Sequence, residues 1–284
     1  MIEARKISKI YSVVNQHGIA EKITAVQSVS LTVQDGRIVS LLGPSGCGKS
    51  TLLEILAGLQ IPTEGEVFID GVRVLEPLPS SRREIELYRR KYRFLSPLAN
   101  RLIRNTLKYD IAVIFQDYAI FPWMTVLKNV VFALKMRGVD RHERKDKAIE
   151  YLKRVDLSSD LNKYPSQLSG GMRQRLALAR ALAVEPKIIL MDEPFAAVDT
   201  LTRERLQDDL LGLWKMTKVT IILVTHDISE ALYLSDEVFV FSSNPGTIQN
   251  HFLIDELHRR RRNSPQLHDL EQKLIKICKY NHRS

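Results

Sequence analysis

The residues Gly43-Pro44-Ser45-Gly46-Cys47-Gly48-Lys49-Ser50 fit the pattern G-x-x-x-x-G-K-S/T. Glycines at this spacing let successive backbone N–H groups curl around phosphate oxygens with no Cβ in the way. A helical pattern starts at about Ser50 and Thr51 and runs through Leu52, Leu53, Ile55, Leu56 and Leu59, so the positive end of a helix would face the same anion. Lys49 would reach the outer phosphates of a nucleoside triphosphate, and the Ser50 hydroxyl would bind Mg²⁺. A helix end alone contributes only about 0.3–2 kcal/mol, so the lysine and the metal must carry much of the binding.

Further along the chain lie four more places where chemistry is plausible. Ser169-Gly170-Gly171 precedes a helical stretch and could form a second anion site, or simply a loop before a helix. Asp192-Glu193 follows the apolar run Ile188-Ile189-Leu190-Met191, a buried strand delivering two carboxylates to the end where open α/β sheets bind ligands. Taken alone, such a pair is more often a solvated turn. Gln116 and His226 each end an apolar run; a single histidine there is more often structural.

Together, in order and spacing, these residues resemble the ABC transporter ATPase family. Leu168-Ser169-Gly170-Gly171-Met172, extended by Tyr164-Pro165 before it and Arg173-Gln174-Arg175 after it, is similar to the family's signature. In the family that serine and those glycines contact ATP held by the opposite subunit. The Asp192-Glu193 segment resembles Walker B, which implies Asp192 supporting Mg²⁺ and Glu193 polarising the attacking water as general base. Gln116 matches the glutamine that senses Mg²⁺ and the γ-phosphate, His226 the switch histidine, and Asp199 the D-loop aspartate. The D-loop's usual serine is Ala196 here, which weakens one hydrogen bond across the pair. Tyr11 matches the aromatic that stacks on adenine, its alternative being an ordinary core or surface tyrosine. The resemblance implies ATP and Mg²⁺ as cofactors, with residues 43–51 holding the nucleotide. It also implies a pair of ATPase subunits, this chain with itself or with a homologue, because one chain carries one phosphate loop and one signature.

The elements needed to position these groups are legible as periodicity. Residues 1–75 read as short strands with hairpin signals at Asp35-Gly36 and Asp70-Gly71. Strands are expected at 37–42, 66–74, 110–116, 187–191, 219–225 and 237–242, and helices at 202–216 and 228–234, with helical periodicity dominating 125–182. Alternating strands and helices predict an α/β fold. With the resemblance, that becomes an ABC ATPase fold: a mostly parallel sheet flanked by helices, an antiparallel β subdomain and a helical signature subdomain at about 118–180. The ATPase domain is expected to span 1–245. A basic tail, 246–284, follows, with Leu267, Leu270, Leu274 and Ile277 at helical spacing on a helix packed against the core.

Composition narrows the setting. No apolar run approaches the roughly 20 residues that span a bilayer, and 1–14 lacks a signal-peptide core. Cys47 and Cys278 are too few for a disulfide framework. Residues 76–109 hold nine Lys/Arg against three Asp/Glu, and 251–284 hold eight against four, leaving the rest of this +9 chain near neutral at −1. A nucleic-acid binder concentrates positive charge on its core surface, so nucleic acid is not expected. The basic stretches are either solvated faces or contacts to anionic lipid or a membrane partner.

The expected location is peripheral, on the cytoplasmic face of the inner membrane, beside transmembrane permease subunits and, indirectly, an extracytoplasmic solute-binding protein. Gln116-Asp117-Tyr118-Ala119-Ile120-Phe121-Pro122-Trp123 and Ser242-Ser243-Asn244-Pro245-Gly246 are similar to the nitrate/sulfonate/taurine importer subfamily. The alternative is the ATPase of another ABC class. Phe121 and Trp123 are either ordinary core or a seat for the permease. Residues 76–109 include roughly 25–30 that depart from the subfamily pattern; they are expected to form a helical excursion touching the permease or lipid.

Overall fold

The computed structural model describes residues 1–14, 20–75, 110–196, 198–254 and 264–280. The basic stretch 76–109, with the helical excursion expected of it, lies outside them. The chain divides into two compact units, one of Met1–Tyr109 with Thr225–Ser284 and one of Asp110–Val224.

In the first unit, β1 (Ile2–Val14) pairs antiparallel with β2 (Ala20–Val33) and with β4 (Glu64–Ile69), and β4 pairs with β5 (Val72–Leu75). The sheet order is β2-β1-β4-β5. Ile2, Ala4, Ile7, Val26, Val29, Leu31 and Val33 supply its buried face. β4 and β5 are the short strands the sequence suggests, joined at the expected Asp70-Gly71 turn; β1 and β2, of 13 and 14 residues, are not. The β1–β2 ladder slips register between Ala4 and Ile7 and again before Ile10. Each slip breaks the alternation of period two that marks a long strand.

All five residues of β3 (Ile38–Leu42) are buried. It runs parallel to β9 (Glu237–Phe241), which pairs antiparallel with β10 (Ile248–Leu253). The Asp35-Gly36 turn is present, yet it closes no hairpin, because β2 pairs with β1 and β3 with β9. A two-residue turn signal reports local backbone shape; burial decides which sheet takes each strand. At the mouth of β3, Asp236 clamps Ile38 from both sides: its N–H donates to the Ile38 carbonyl at 2.7 Å, and its Oδ2 accepts from Ile38 N–H at 2.9 Å. Helix α1 (Lys49–Leu56) follows β3.

β10 was not foreseen in the basic tail. The expected C-terminal helix is present as α7 (Pro265–Tyr280), following α6 (Ile228–Leu234) in this unit. Leu267 and Leu274 pack with Leu42, Leu232, Val238 and Val240, and Leu270 and Ile277 lie against the same cluster.

In the second unit, β6 (Ile111–Ile114), β7 (Ile188–Asp192) and β8 (Thr220–Thr225) are parallel neighbours. The first strands' near-continuous Ile/Leu/Val content is what burial on both faces requires. Helices α2 (Val126–Met136), α3 (Arg144–Arg154) and α4 (Gly170–Ala183) pack on one another, and α5 (Thr200–Thr217) joins β7 to β8. Thr125 caps α2 by accepting from Lys128 N–H.

Candidate functional site

The first unit carries Tyr11, the phosphate loop and His226; the second carries Gln116, the signature, Asp192, Glu193 and Asp199.

Leaving β3, the loop passes through Gly43, Pro44, Ser45, Gly46, Cys47 and Gly48 into α1, with Ser45, Gly46 and Ser50 exposed and Lys49 only 3% exposed. Gly48 has φ 93°, and a Cβ there would lie 2.3 Å from the Ala25 carbonyl oxygen, so only glycine fits. Lys49 Nζ donates to the carbonyls of Gly43 at 2.8 Å and Pro44 at 2.7 Å. These bonds turn those oxygens toward the lysine and wrap the loop around its own cation, while Ser50 and Thr51 open the first turn of the helix. Cys47 is buried. Tyr11, half-buried on β1, donates its hydroxyl to Gln60 Oε1 at 2.7 Å, and Lys9 Nζ sits 5.2 Å from its ring centroid. His226 is exposed just past β8, and Asp227 beside it caps α6 by accepting from Glu230 N–H at 3.0 Å.

In the second unit, Asp192 ends β7 and Glu193 stands immediately beyond it. Glu193 has φ 44°, a left-handed turn uncommon outside glycine. Its N–H donates to the Val224 carbonyl at 3.0 Å. Strain of this kind gathers at functional sites and is held there by the surrounding bonds. Ser169 caps α4 by accepting from Met172 N–H at 3.3 Å. Its hydroxyl proton stays available for a ligand, and Gly170 and Gly171 open the helix behind it. Asp199 caps α5, accepting from Thr202 N–H at 3.1 Å; hydrogen bonds from Thr202 hold its carboxyl below the usual range.

Gln116 is exposed two residues beyond β6. Sequence reasoning missed what holds the segment after it. Tyr118 and Ala119 both have left-handed φ, 62° and 42°, and the Arg180 guanidinium from α4 donates to the carbonyl of each, at 2.9 and 2.6 Å. Burial lowers the Arg180 pKa, with Asp117 acting the other way. Burial likewise raises the Tyr118 phenol, whose hydroxyl reaches the Pro194 carbonyl at 3.4 Å. Asn129, fully buried on α2, accepts from Phe121 N–H and donates to the carbonyls of Phe121 and Met124. An arginine within the otherwise apolar run Leu176-Ala177-Leu178-Ala179-Arg180-Ala181-Leu182 was the available signal: a half-buried cation needs designated partners.

Trp123 is 69% exposed, which overturns the core reading for it. It leans on Phe121 at 5.6 Å between centroids, and Phe121 packs edge-on against Phe132 at 5.0 Å.

Lysine is a single point cation and cannot reproduce the arginine fork. Replacing Arg180 by Lys is therefore expected to speed amide exchange across residues 116–123 about tenfold or more, since bonds from a charged donor contribute about 1.5–3 kcal/mol. Exchange in the middle of α4 should hold. Hydrogen-exchange mass spectrometry reads both, and unchanged exchange at 116–123 would remove Arg180 from this role.

A glycine loop closing on a buried lysine, and two carboxylates at the end of a buried parallel strand, define a nucleotide-binding α/β ATPase. The chain belongs to the ABC transporter family, whose match covers residues 26–196. It is 40% identical to the nitrate import ATP-binding protein of Synechocystis sp. over 82% of this chain and 76% of that one. It is 39% identical to the taurine import ATP-binding protein of Burkholderia pseudomallei over 92% of this chain and 87% of that one. Among solved structures, a dimeric ATP-binding cassette in a post-hydrolysis state, bound to ADP and Pi, superposes with a TM-score of 0.72 at 32% identity; the match covers 90% of this chain and 99% of that one. The ABC ATPase fold expected from the sequence is the fold observed.

Proposed function

We propose that this chain is the MgATP-hydrolysing subunit of an ABC importer for a small oxyanion such as nitrate, a sulfonate or taurine, acting in a pair at the membrane surface. The observation that carries the reading is the Asp192-Glu193 pair, with Glu193 fixed in a left-handed turn at the end of β7, in a chain of the ABC family. A carboxylate held by its own backbone, rather than by side-chain rotamer alone, is suited to aim at one water.

The loop residues 43–51 bind the phosphates, Lys49 supplies the positive charge, and Tyr11 stacks on the base. Ser50, Gln116 and Asp192 offer a hydroxyl, an amide carbonyl and a carboxylate, all hard oxygen donors of the kind Mg²⁺ prefers. Among the described residues there is no cluster of three or more His/Cys/Asp/Glu that could hold a metal. When bound, Mg²⁺ neutralises charge developing on the phosphates. Glu193 draws the proton from the attacking water, and His226 and Gln116 orient that water and report on the γ-phosphate.

The Ser169-Gly170-Gly171 signature and Asp199 of one subunit face the ATP of the other. ATP is then the ligand that selects the closed pair, and loss of its γ-phosphate releases it. No helix among the described residues is long and apolar enough to cross a membrane. The chain's likeness to import ATP-binding proteins supports a place for the pair beneath permease subunits, with a solute-binding protein beyond them. The exposed Trp123, backed by Phe121, is the contact we assign to the permease.

Identity to the nitrate and taurine relatives is nearly equal and does not separate the two solutes; we assign the choice of solute to the other subunits. The test is ATP turnover by the complex in liposomes, with nitrate, taurine, alkanesulfonates and bicarbonate offered in turn. Stimulation severalfold by one of these supports the oxyanion importer. Robust turnover that none of them stimulates overturns the solute class and leaves the ATPase.

A further inference from the structure

β9 ends at Phe241, and the chain folds back through residues 242–247 before β10 begins. Ser242 holds this turn closed. Its N–H donates to the Thr247 carbonyl at 3.0 Å; its hydroxyl lies 2.7 Å from Thr247 Oγ1 and 3.3 Å from the Pro245 carbonyl. Within the turn, Gly246 is joined to β2: its N–H donates to the Ala25 carbonyl at 3.1 Å, and its own carbonyl accepts from Gln27 N–H at 2.9 Å.

A Cβ on Gly246 would lie 2.0 Å from the Cys47 carbonyl oxygen and 2.9 Å from that of Ala25. Both are backbone atoms, so no flexible side chain can move aside. Gly246 is thus a glycine for lack of space rather than for its φ. Gly48, one residue past Cys47, is pressed against the same Ala25 carbonyl. Three backbone segments therefore meet with no room for a side chain: β2 at Ala25, the phosphate loop at Cys47-Gly48, and the turn at Gly246.

The contact has a directional consequence. A trans peptide is planar, so its C=O and N–H point to opposite sides. The Cys47 oxygen faces Gly246, so the N–H of Gly48 faces the other way. We infer that Gly246 is a positioning residue for the phosphate loop: the 242–247 turn backs the Cys47-Gly48 peptide and fixes the side on which that N–H is presented to phosphate. The inference rests on the reading of residues 43–51 as the nucleotide cradle. Gly246 acts through Cys47, against whose carbonyl it is packed.

A methyl group at 246 must push the Cys47-Gly48 peptide aside or rotate it, and donors aimed at phosphate then miss. The experiment compares the full-length protein with Gly246→Ala, Gly212→Ala and Lys49→Ala, titrating each with MgADP and unfolding each in urea without nucleotide. Gly212 has open space where a Cβ would go, which makes it the matched control. Gly246→Ala is expected to raise the Kd for MgADP tenfold or more and to lower the unfolding midpoint, while Gly212→Ala keeps both close to wild type. At saturating MgADP the ³¹P resonances of the bound nucleotide should also shift, a change that a general loss of stability would not produce.

Wild-type affinity and unshifted ³¹P resonances in folded Gly246→Ala would overturn the inference. Should that variant fail to fold, Ser242→Ala loosens the same turn without adding a Cβ; it is expected to weaken MgADP about threefold, and unchanged binding there would overturn the inference instead. If Lys49→Ala binds MgADP like wild type, the cradle reading itself falls, separately from the role of Gly246.

Discussion

Glu193→Gln is expected to lower the rate of ATP hydrolysis about a thousandfold and to leave ATP affinity within about threefold of wild type. The amide keeps the shape and branching of the carboxylate, so the left-handed turn at 193 and its bond to Val224 persist. What is lost is the group that takes the proton from water, and a positioned general base contributes roughly 10²–10⁴ in rate. Since the γ-phosphate stays, the ATP-bound pair should outlast that of the wild type. Phosphate release and equilibrium nucleotide binding, measured on the same preparation, separate the two effects. Normal turnover in this variant would remove Glu193 from the role of base.

Lys49→Ala acts at the other end of the reaction coordinate and should abolish function by weakening binding. A hydrogen bond to a charged group is worth about 1.5–3 kcal/mol, or roughly 10–150-fold in Kd at 1.4 kcal/mol per tenfold. The measured loss should reach the top of that range or pass it. Lys49 Nζ also holds the carbonyls of Gly43 and Pro44, so its removal slackens the loop as well as subtracting the charge. Lys49→Met, which keeps the buried stem, should bind MgATP as poorly as the alanine variant. Isothermal titration gives the comparison, and near-normal affinity in Lys49→Met would mean that the cation is dispensable.

Much of this was legible in the sequence because it is local. The phosphate loop is a pattern of glycines that a conformation demands, and the buried strands around it are short runs of Ile, Leu and Val. The helix of Leu267 and Leu274 is likewise written in its spacing, and it packs as that spacing requires. What was missed depends on contacts distant in sequence. β1 and β2 hide their length behind register slips. β10 shows only a half-buried alternation in a tail dominated by charge. Arg180 reveals its partners only once α4 packs against the segment after β6, and Gly246 reads as an ordinary turn glycine until β2 and the phosphate loop close on it. Trp123 could not be assigned from sequence because an aromatic beside a proline is as suited to a core as to a docking face; its exposure rules out the core.

The central claim is that this chain hydrolyses ATP by base catalysis from Glu193 at a site that a second subunit completes. The most direct test is phosphate release from MgATP by the purified protein, with Glu193→Gln alongside at equal concentration. The account predicts turnover by the wild type at a rate that climbs faster than linearly with protein concentration, and next to none from the variant. Equal phosphate release by the two proteins would contradict it.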